Sequence, residues 1–312
     1  MKYILIFFIL ILTSCQQNME DVPEGLTVMS YNLYNMFDSS DDGTEYSGYR
    51  PGSGYTSRDA AKRTELYSAL LRRKDFAADV IIFQEVESEK VLEALLDSGM
   101  RRRGYLYYGL AKTEAPISVG FISKLKPSEV NLHGLEAGRA FLTLEVMKGG
   151  RQYLIVGLHA KSNLGDDDEN RSERRMLSRH IRELMRDYDN VIVAGDFNSE
   201  VRTGDMLSPE DDGVALHVVT DMEGVPDGAF YDAAGDPYYP VSAEGSYRYM
   251  GKWYFYDRIL ASGTIMKEVG EYTFEVMNVG EVCAEDGSPA SYDNSSESGY
   301  SDHFAVKLTL RY

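Results

Sequence analysis

Five strand-like apolar runs in this chain each carry, at one end, polar side chains suited to binding a metal ion or a phosphate group. Four runs precede such residues and the fifth follows them. The residues are Asn32 after run 26–31, Glu85 after 79–84, His159 after 153–158, Asp196 and Asn198 after 191–195, and Asp302 and His303 before 304–310. Ligands collect at the carboxyl ends of strands in layered α/β folds. We therefore expect these residues, which are far apart in sequence, to meet at the carboxyl ends of strands.

The residue types match what a metal enzyme needs for phosphoryl transfer, namely oxygen ligands for a hard cation, a positioned water and donors to the phosphate. Asn32 and Glu85 are hard-oxygen ligands. Asp196 and Asn198 lie two residues apart and are placed to share one water. In that arrangement Asp196 takes a proton while the amide of Asn198 orients the water oxygen.

Two histidines add candidates for contact with the phosphate. His303 is either a protonated imidazole that donates to a non-bridging phosphate oxygen or a base. Its neighbour Asp302 either binds the metal or fixes the imidazole ring. His159 is a second candidate donor to the phosphate.

Taken one at a time, these residues also have structural interpretations. Asn32 is typical of a turn, Glu85 of a cap for a helix beginning near residue 87, and His159 of a satisfied polar residue at a strand end. Asp257 is able to pair with its neighbour Arg258. The joint occurrence of all the motifs in this order favours the chemical interpretation.

The first residues predict an exported lipoprotein. Residues 3–12 are apolar after a short basic start, and Cys15 follows Leu-Thr-Ser in a sequence that resembles a bacterial lipobox. The apolar stretch is too short to span a bilayer and is typical of a signal peptide. We predict a signal peptide over 1–14, a tether over 15–25 with a lipid on Cys15, and a catalytic domain over 26–312. A plain signal peptide with an incidental cysteine is the alternative.

The net charge of −18 limits the partners of the chain. A protein this acidic is not a general binder of nucleic acid, although a local basic surface remains compatible with cleaving it. The candidate basic stretches are 72–74, 101–103 and 171–175, and the first two are better interpreted as solvated helix ends. With Cys15 acylated, Cys283 has no disulfide partner, so stability must come from packing and bound metal.

Local patterns predict three helices among many strands. Helices are expected over 57–73, 87–96 and 168–187. Strands are expected over 26–31, 79–83, 105–110, 117–123, 139–146, 153–158, 190–194, 271–279 and 303–310, with a hairpin over 245–250 and 253–261 that turns at 251–252. Residues 207–240 are predicted to be irregular. The acidic run 166–170 is compatible with a structural Ca²⁺ but is better interpreted as a solvated helix start, because it lacks the spacing of a calcium loop.

Helices mixed with antiparallel hairpins predict an α/β sandwich of two sheets packed face to face, with the helices outside. Several motifs then resemble the endonuclease/exonuclease/phosphatase superfamily, and in particular its DNase I-like branch. They are Gln-Glu-Val at 84–86, Leu-His at 158–159, Gly-Asp-Phe-Asn at 195–198, Tyr-Asp-Arg-Ile at 256–259 and Ser-Asp-His-Phe at 301–304. The match extends from about residue 26 to residue 310.

The resemblance implies a four-layer α/β sandwich and dependence on Mg²⁺ or Mn²⁺. It implies metal binding by Asn32 and Glu85, joined by Asp302. The remaining roles that it implies are acid/base chemistry by Asp196, orientation of the nucleophile by Asn198, phosphate contact by His159 and His303, and support of that network by Asp257. Tyr34 replaces the aspartate that abasic endonucleases carry there, which argues against base-excision repair.

The function expected from these observations is an exported, metal-dependent phosphodiesterase, most simply an endonuclease-like hydrolase of nucleic acid. The first alternative is a phospholipid or inositol-phosphate hydrolase on the same scaffold, which the tyrosine-rich loops favour; their tyrosines are Tyr46, Tyr49, Tyr55, Tyr292 and Tyr300. The second is a non-catalytic surface binding protein. We expect a monomer held at the cell envelope, at the outer membrane, through the lipid on Cys15.

Overall fold

The computed structural model describes residues 25–134, 140–239, 241 and 243–312. The predicted signal peptide, the acylated Cys15 and almost all of the predicted tether lie outside the described residues. The domain division therefore remains a prediction. Among the helices of the described ranges, none is both long enough and apolar enough to cross a bilayer.

The described residues form sixteen strands and four α-helices. The strands are β1 Gly25–Met36, β2 Val80–Val86, β3 Tyr107–Ala111, β4 Ser118–Ser123, β5 Glu129–Gly134, β6 Ala140–Lys148, β7 Arg151–His159, β8 Val191–Asp196, β9 Leu207–Ser208, β10 Leu216–Val219, β11 Phe230–Tyr231, β12 Tyr247–Tyr249, β13 Lys252–Tyr254, β14 Asp257–Ser262, β15 Glu271–Val276 and β16 Val306–Arg311. The helices are α1 Ser57–Leu71, α2 Glu89–Leu95, α3 Asp167–Leu184 and α4 Gly263–Glu268.

Two large mixed sheets contain most of the strands. One has six strands in the order β15-β16-β1-β2-β4-β3, and the other has eight in the order β5-β6-β7-β8-β14-β11-β10-β9. Strands β1 and β2 run parallel, as do β7 and β8, while β14 runs antiparallel to β8. Strands β12 and β13 form a separate two-stranded hairpin.

The two large sheets pack face to face, and the helices lie on their outer faces. Strands β1 and β2 of one sheet contact β7, β8 and β14 of the other. The inner layer is built from runs such as Val80-Ile-Ile-Phe83, in which every side chain is buried because both faces of the strand are covered. Helices α1 and α2 cover the six-stranded sheet, while α3 and α4 contact the eight-stranded one. This arrangement confirms the predicted α/β sandwich.

Helix starts follow the expected capping chemistry. Thr56 caps α1 in a reciprocal box with Asp59, one residue before the predicted start. The carboxylate of Asp166 accepts from the backbone N–H groups of Asp168 and Glu169 and caps α3. The acidic run at 166–170 is thus a helix start, as the preferred interpretation had it. Its carboxylates also lie where the positive end of the helix dipole favours them.

Several local predictions need correction. The hairpin turns at Met250-Gly251, one residue earlier than predicted, with φ values of 48° and 81°. Residues 207–231 are not wholly irregular, since the short strands β9, β10 and β11 extend the eight-stranded sheet. The sequence analysis also missed edge strand β5 and the short helix α4. Residue 139, the predicted start of the strand now assigned as β6, lies outside the described residues.

Candidate active site

The predicted site residues come together where strand ends from both sheets meet. Asp196 is the last residue of β8 and pairs with His159, the last residue of β7. On its other side Asp196 pairs with Asp257, the first residue of β14. From the other sheet, Asn32 lies on β1 beside β2, which carries Glu85. Five residues that are distant in sequence are thereby held on neighbouring backbone positions.

The backbone around these residues adopts uncommon conformations. Glu85 has φ 60° and Asn198 has φ 48°, and the two residues after Leu33, Tyr34 and Asn35, have φ 52° and 54°. Positive φ is uncommon for residues other than glycine and tends to cluster at functional sites. In β1 these conformations interrupt the pairing with β2 between residues 32 and 36. The interruption turns the backbone N–H of Asn35 toward Glu85.

Asn32 joins the two carboxylates that lie on either side of it. Its Nδ2 donates to Glu85 Oε1 at 3.1 Å and lies 3.3 Å from Asp196 Oδ2. Its Oδ1 accepts the N–H of Tyr34 at 2.9 Å, and the N–H of Asn35 donates to Glu85 Oε2 at 2.7 Å. Glu85 is therefore held by side-chain and backbone donors and does not serve as a helix cap. Asn32 acts here as a donor through its amide nitrogen, and its role as a metal ligand stays a prediction.

Asp196 is the central carboxylate of the site. Its Oδ1 accepts the backbone N–H of Asn198 at 2.9 Å, and its Oδ2 lies 3.6 Å from His159 Nε2 and 4.0 Å from His303 Nε2. Asn198 donates through Nδ2 to the carbonyl of Ala160 at 3.2 Å. The amide oxygen of Asn198 is therefore the atom left to contact a water. The arrangement places one carboxylate between two imidazoles.

His303 and Asp257 form a buried pair behind this carboxylate. His303 Nδ1 and Asp257 Oδ2 are 2.7 Å apart, so the shared proton lies on Nδ1 and Nε2 points to Asp196 and Asp302. Asp257 itself is completely buried, and its backbone N–H donates to Ser246 Oγ. The simpler pairing of Asp257 with Arg258 is wrong, because the side chain of Arg258 reaches Asp232 instead.

Burial and neighbouring charges shift the ionisation of the site. Burial raises the pKa of Asp196 to about 7, against an opposing effect of His303. Burial also raises the pKa values of Glu85 and Asp302, and the charge of Asp302 adds to the rise at Glu85. For His303, burial lowers the pKa, but Asp257 and Asp302 outweigh it and hold the pKa well above its ordinary value. At neutral pH, His303 is therefore an imidazolium that can donate from Nε2.

These residues open into a cleft of about 730 Å³. Six of the eight predicted residues line it: Glu85, His159, Asp196, Asn198, Asp302 and His303. Asn32 and Asp257 lie beneath the lining, bonded to residues that form it. All eight predicted residues thus belong to one site. The prediction that they converge in space is confirmed.

The donor set of the cleft fits a hard cation. Glu85, Asp196 and Asp302 contribute carboxylates, and none of the cleft-lining residues, all of which are described, is Lys or Arg. Within the described part of the chain, the buried Oδ1 atoms of Asp302 and Asp257 have no hydrogen-bond partner. Ligand atoms of Asp196, Asp257 and His303 also lie within 4.8 Å of one another. Uncompensated buried carboxylates are stabilised by a bound cation, which restores the ionised form.

Sequence reasoning missed one wall of the cleft and one support beneath it. Tyr247, Tyr249, Tyr254 and Tyr256 line the cleft, and the period-two spacing of these residues in the sequence was a signal for it. Of the five loop tyrosines noted earlier, only Tyr46 lines this cleft. The support is Arg63, a buried side chain of α1 that donates to the backbone carbonyls of residues 33–35. No local sequence signal identifies it.

Solved structures share this fold over almost the whole chain. Truncated TDP2 of Caenorhabditis elegans is 17% identical, with 92% of this chain and 98% of that chain covered and a TM-score of 0.57. TDP2 of D. rerio, complexed with a single-strand DNA product, is 16% identical, with coverage of 92% and 99% and a TM-score of 0.55. Sphingomyelinase C of Streptomyces griseocarneus gives the same four values. Identities this low establish the fold alone.

The match to a sequence family establishes more than the fold. Among curated proteins, no sequence matches the chain. The sequence model described as Endonuclease/Exonuclease/phosphatase family matches residues 27–312, which include every predicted site residue. The chain therefore belongs to the endonuclease/exonuclease/phosphatase family and is a phosphoric-ester hydrolase.

Proposed function

We propose that the chain is a divalent-metal-dependent phosphodiesterase that cleaves nucleic acid. The observation that carries the proposal is the position of Asp196, a buried carboxylate between His159 and His303 with Nε2 atoms at 3.6 and 4.0 Å. A carboxylate whose pKa is about 7 is matched to accept a proton from water near neutral pH. The structure of D. rerio TDP2 with a single-strand DNA product supports nucleic acid as the substrate class.

In the proposed reaction, Asp196 takes the proton of the attacking water while the Asn198 amide oxygen orients that water. The water oxygen bonds to phosphorus, the bond from phosphorus to the leaving sugar oxygen breaks, and solvent water protonates that oxygen. His303, protonated and held by Asp257, donates from Nε2 to a phosphate oxygen, and His159 contacts the phosphate from the other side. The metal would be held by Glu85 and Asp302, with Asn32 as the third predicted ligand. When bound, Mg²⁺ or Mn²⁺ supplies positive charge that stabilises the developing charge on the phosphate oxygens.

The test is cleavage of a plasmid and of single-stranded oligonucleotides by the purified protein with Mg²⁺, with Mn²⁺ and with EDTA. We expect cutting that EDTA abolishes and that Asp196→Ala lacks. Exposed Tyr238, which is 88% exposed and outside the cleft, provides the matched control Tyr238→Ala, which should cut normally. Cutting by wild type that does not exceed the Asp196→Ala background would refute the nuclease assignment.

A second substrate class, phospholipid head groups or inositol phosphates, is favoured by one observation. Among the described residues that line the cleft there are carboxylates but neither Lys nor Arg, and a long polyanion gains little from such a surface. The similarity to sphingomyelinase C is consistent with it. Release of phosphocholine or inorganic phosphate from a lipid and inositol-phosphate panel, in the absence of nucleic-acid cleavage, would replace the first proposal by this one.

We further propose that the protein is exported and anchored by a lipid on Cys15, as a monomer at the outer membrane. The basis is the sequence of residues 1–15. Mass spectrometry of the N-terminal peptide of the mature protein should find an acylated Cys15, and Cys15→Ser should move the protein from the membrane to the soluble fraction. An unmodified Cys15 in the mature protein, or retention of residues 1–14, would contradict the proposal.

A further inference from the structure

One wall of the cleft consists of tyrosines on a single face of the β12–β13 hairpin and of Tyr256, two residues after the hairpin. Tyr247 pairs directly with Tyr254, and Tyr249 pairs with Lys252. Directly paired residues of antiparallel strands share a face, so both of these pairs, including Lys252, point to the same side. Tyr247, Tyr249 and Tyr254, together with Tyr256 after β13, all line the cleft. We call these four residues the tyrosine wall.

The rings of the tyrosine wall are nearly parallel and begin at the reacting centre. The Tyr247 ring lies 4.5 Å from the His303 ring at an angle of 23°. Tyr247 and Tyr256 are 5.7 Å apart at 24°, and Tyr254 and Tyr256 are 4.9 Å apart at 28°. Tyr249 continues the row outward, 6.4 Å from Tyr247 at 8°, and is 53% exposed. The row therefore extends away from the histidine that faces the phosphate, and Tyr249 is the exposed ring at its outer end.

The opposite face of the hairpin fixes this row in place. Trp253 stacks on Phe304, the residue after His303, with 6.1 Å between ring centroids. Arg248 lies over the Trp253 ring and donates to Asp286 at 2.6 Å. The backbone of Tyr247 also bridges to His303. Because the wall and the catalytic histidine share these contacts, the rings are preorganised relative to the phosphate position.

We propose that the tyrosine wall is a stacking site for an unpaired base adjacent to the scissile phosphate, so that the substrate is single-stranded nucleic acid. The proposal rests on the proposed nuclease function and adds its substrate form. Aromatic side chains in a row bind successive bases by their π faces, which are accessible in a single strand and covered in a duplex. Duplex binding depends on multiple Lys and Arg contacts to phosphates, and the part of the cleft lining that the structure describes contains neither residue.

The geometry favours a flat base over the quaternary ammonium of a choline head group. Aromatic cages for such cations enclose them between ring faces, whereas these rings lie almost parallel to one another in a row. The ammonium of Lys252 already lies 4.4 Å from the centre of the Tyr254 ring. This cation occupies one ring face and repels a second positive charge. The same ammonium also pairs with Glu200 Oε2 at 3.9 Å.

The test measures binding separately from cleavage. The inactive variant Asp196→Asn is titrated, with Mg²⁺ present, into a short fluorescein-labelled oligothymidylate, into the same strand with abasic sites in place of the bases, and into a duplex. Fluorescence anisotropy reports the affinities. We expect the base-bearing strand to bind about tenfold more tightly than the abasic strand, as for the stacking of one base. We also expect the affinity for the base-bearing strand to depend only weakly on salt.

Substitutions of Tyr249 test whether the tyrosine wall causes the difference in affinity between the base-bearing and the abasic strand. In the Asp196→Asn background, Tyr249→Ala should reduce the affinity for the base-bearing strand about tenfold and leave the abasic strand unchanged, whereas Tyr249→Phe should retain the preference. Tyr238→Ala removes a tyrosine that is also exposed but lies outside the cleft, and it should change neither affinity. Tyr249 is chosen because its exposure makes misfolding of the variant a small concern.

The possible results separate this proposal from the nuclease assignment. Equal affinity for base-bearing and abasic strands, or tightest binding of the duplex, would overturn the stacking site even if wild type cuts nucleic acid. Release of phosphocholine from sphingomyelin vesicles that is lost in Tyr249→Ala would assign the wall to a lipid head group and also overturn it. A preference for bases in a protein that cuts no nucleic acid would support the stacking site and refute only the nuclease assignment.

Discussion

Replacing Arg63 tests whether a buried arginine on α1 positions Glu85, the proposed metal ligand. Its Nη1 donates to Asn35 O at 2.7 Å, and its Nη2 donates to Leu33 O and Tyr34 O at 2.9 and 2.6 Å. These carbonyls belong to the segment with positive φ whose Asn35 N–H holds Glu85. Arg63 is 1% exposed, so its donors lie in the interior of the protein. Arg63→Met keeps an unbranched apolar stem and deletes all the donors.

The magnitude follows from those three hydrogen bonds. Each charge-assisted bond contributes about 1.5–3 kcal/mol, which gives an upper limit of roughly 4.5–9 kcal/mol. The three bonds share one group and are not additive, and removing the charge relieves its desolvation. We therefore expect a net loss of about 2–4 kcal/mol in the free energy of unfolding. If Glu85 shifts by about 1 Å, kcat/KM should fall about 100-fold.

The assay compares kcat/KM for oligonucleotide cleavage with stability from urea unfolding, at a temperature where the variant is folded. Tyr67→Phe is a milder probe, because the Tyr67 hydroxyl contacts the same Leu33 carbonyl at 2.9 Å. Tyr105→Phe is its matched control, a buried tyrosine whose hydroxyl donates to Ala78 O at the far end of β2. Tyr105→Phe should lose stability alone, and Arg63→Lys should recover part of the activity. A folded Arg63→Met protein with wild-type kcat/KM would refute the reasoning.

Three further predictions concern the catalytic carboxylates and their strands. Asp257→Asn keeps the shape of the side chain beside His303 but removes the carboxylate charge. NMR titration should find the pKa of His303 lowered toward its ordinary value, and a kinetic assay should find kcat reduced about 10²–10⁴-fold. In metal-free protein, the free energy of unfolding should fall as pH rises from about 4 through about 7. The reason is that Asp196 keeps a proton in the folded state that it releases near pH 4 in the unfolded chain. Urea midpoints measured across this range should show the fall, and Asp196→Asn should flatten it. Gly195→Ala would place a Cβ 2.1 Å from Leu158 O on β7, so β7 and β8 must move apart. We expect the free energy of unfolding, measured in urea, to fall by about 1–3 kcal/mol and kcat to fall as well.

The site was predictable wherever its chemistry was tied to local pattern. Glu85 and Asp196 directly follow apolar runs that are buried on both faces, and such runs are recognisable as strands from the sequence alone. A polar residue at the end of a strand can be located without knowledge of the fold. The fold then brings these ends together, and it was the order of the motifs along the chain that indicated which fold.

The sequence did not reveal features that depend on contacts between distant segments. Arg63 looks like any helix arginine, and its carbonyl partners lie about thirty positions away. Asp257 has an obvious partner in adjacent Arg258, yet the strand directs it to His303. The hairpin turn was misplaced because the glycine was taken as its first residue, whereas the turn requires positive φ at Met250 as well.

The tyrosines show how composition misleads when position is unknown. Tyr49 and Tyr55 pack with Phe37, Tyr300 packs on Tyr67, and Tyr292 lies beside Arg63, so these loop tyrosines contribute to packing rather than to the cleft. The tyrosines that do line the cleft stand at alternate positions of a short hairpin. Alternation indicated that they share a face, but which face meets the cleft depends on how the hairpin docks on residues 303–304.

The candidate site is divided between the two sheets. The six-stranded sheet carries Asn32 and Glu85, for which we propose cation binding, and the eight-stranded sheet carries His159, Asp196 and Asp257, for which we propose proton transfer and phosphate contact. The two halves meet where Asn32 Nδ2 approaches Asp196 Oδ2 at 3.3 Å. Their separation is therefore set by the packing of the core between the sheets, and a change there alters the distance between Glu85 and Asp196. Since protein interiors are packed closely and relax little, the packing of the core fixes the distance between the two groups of site residues.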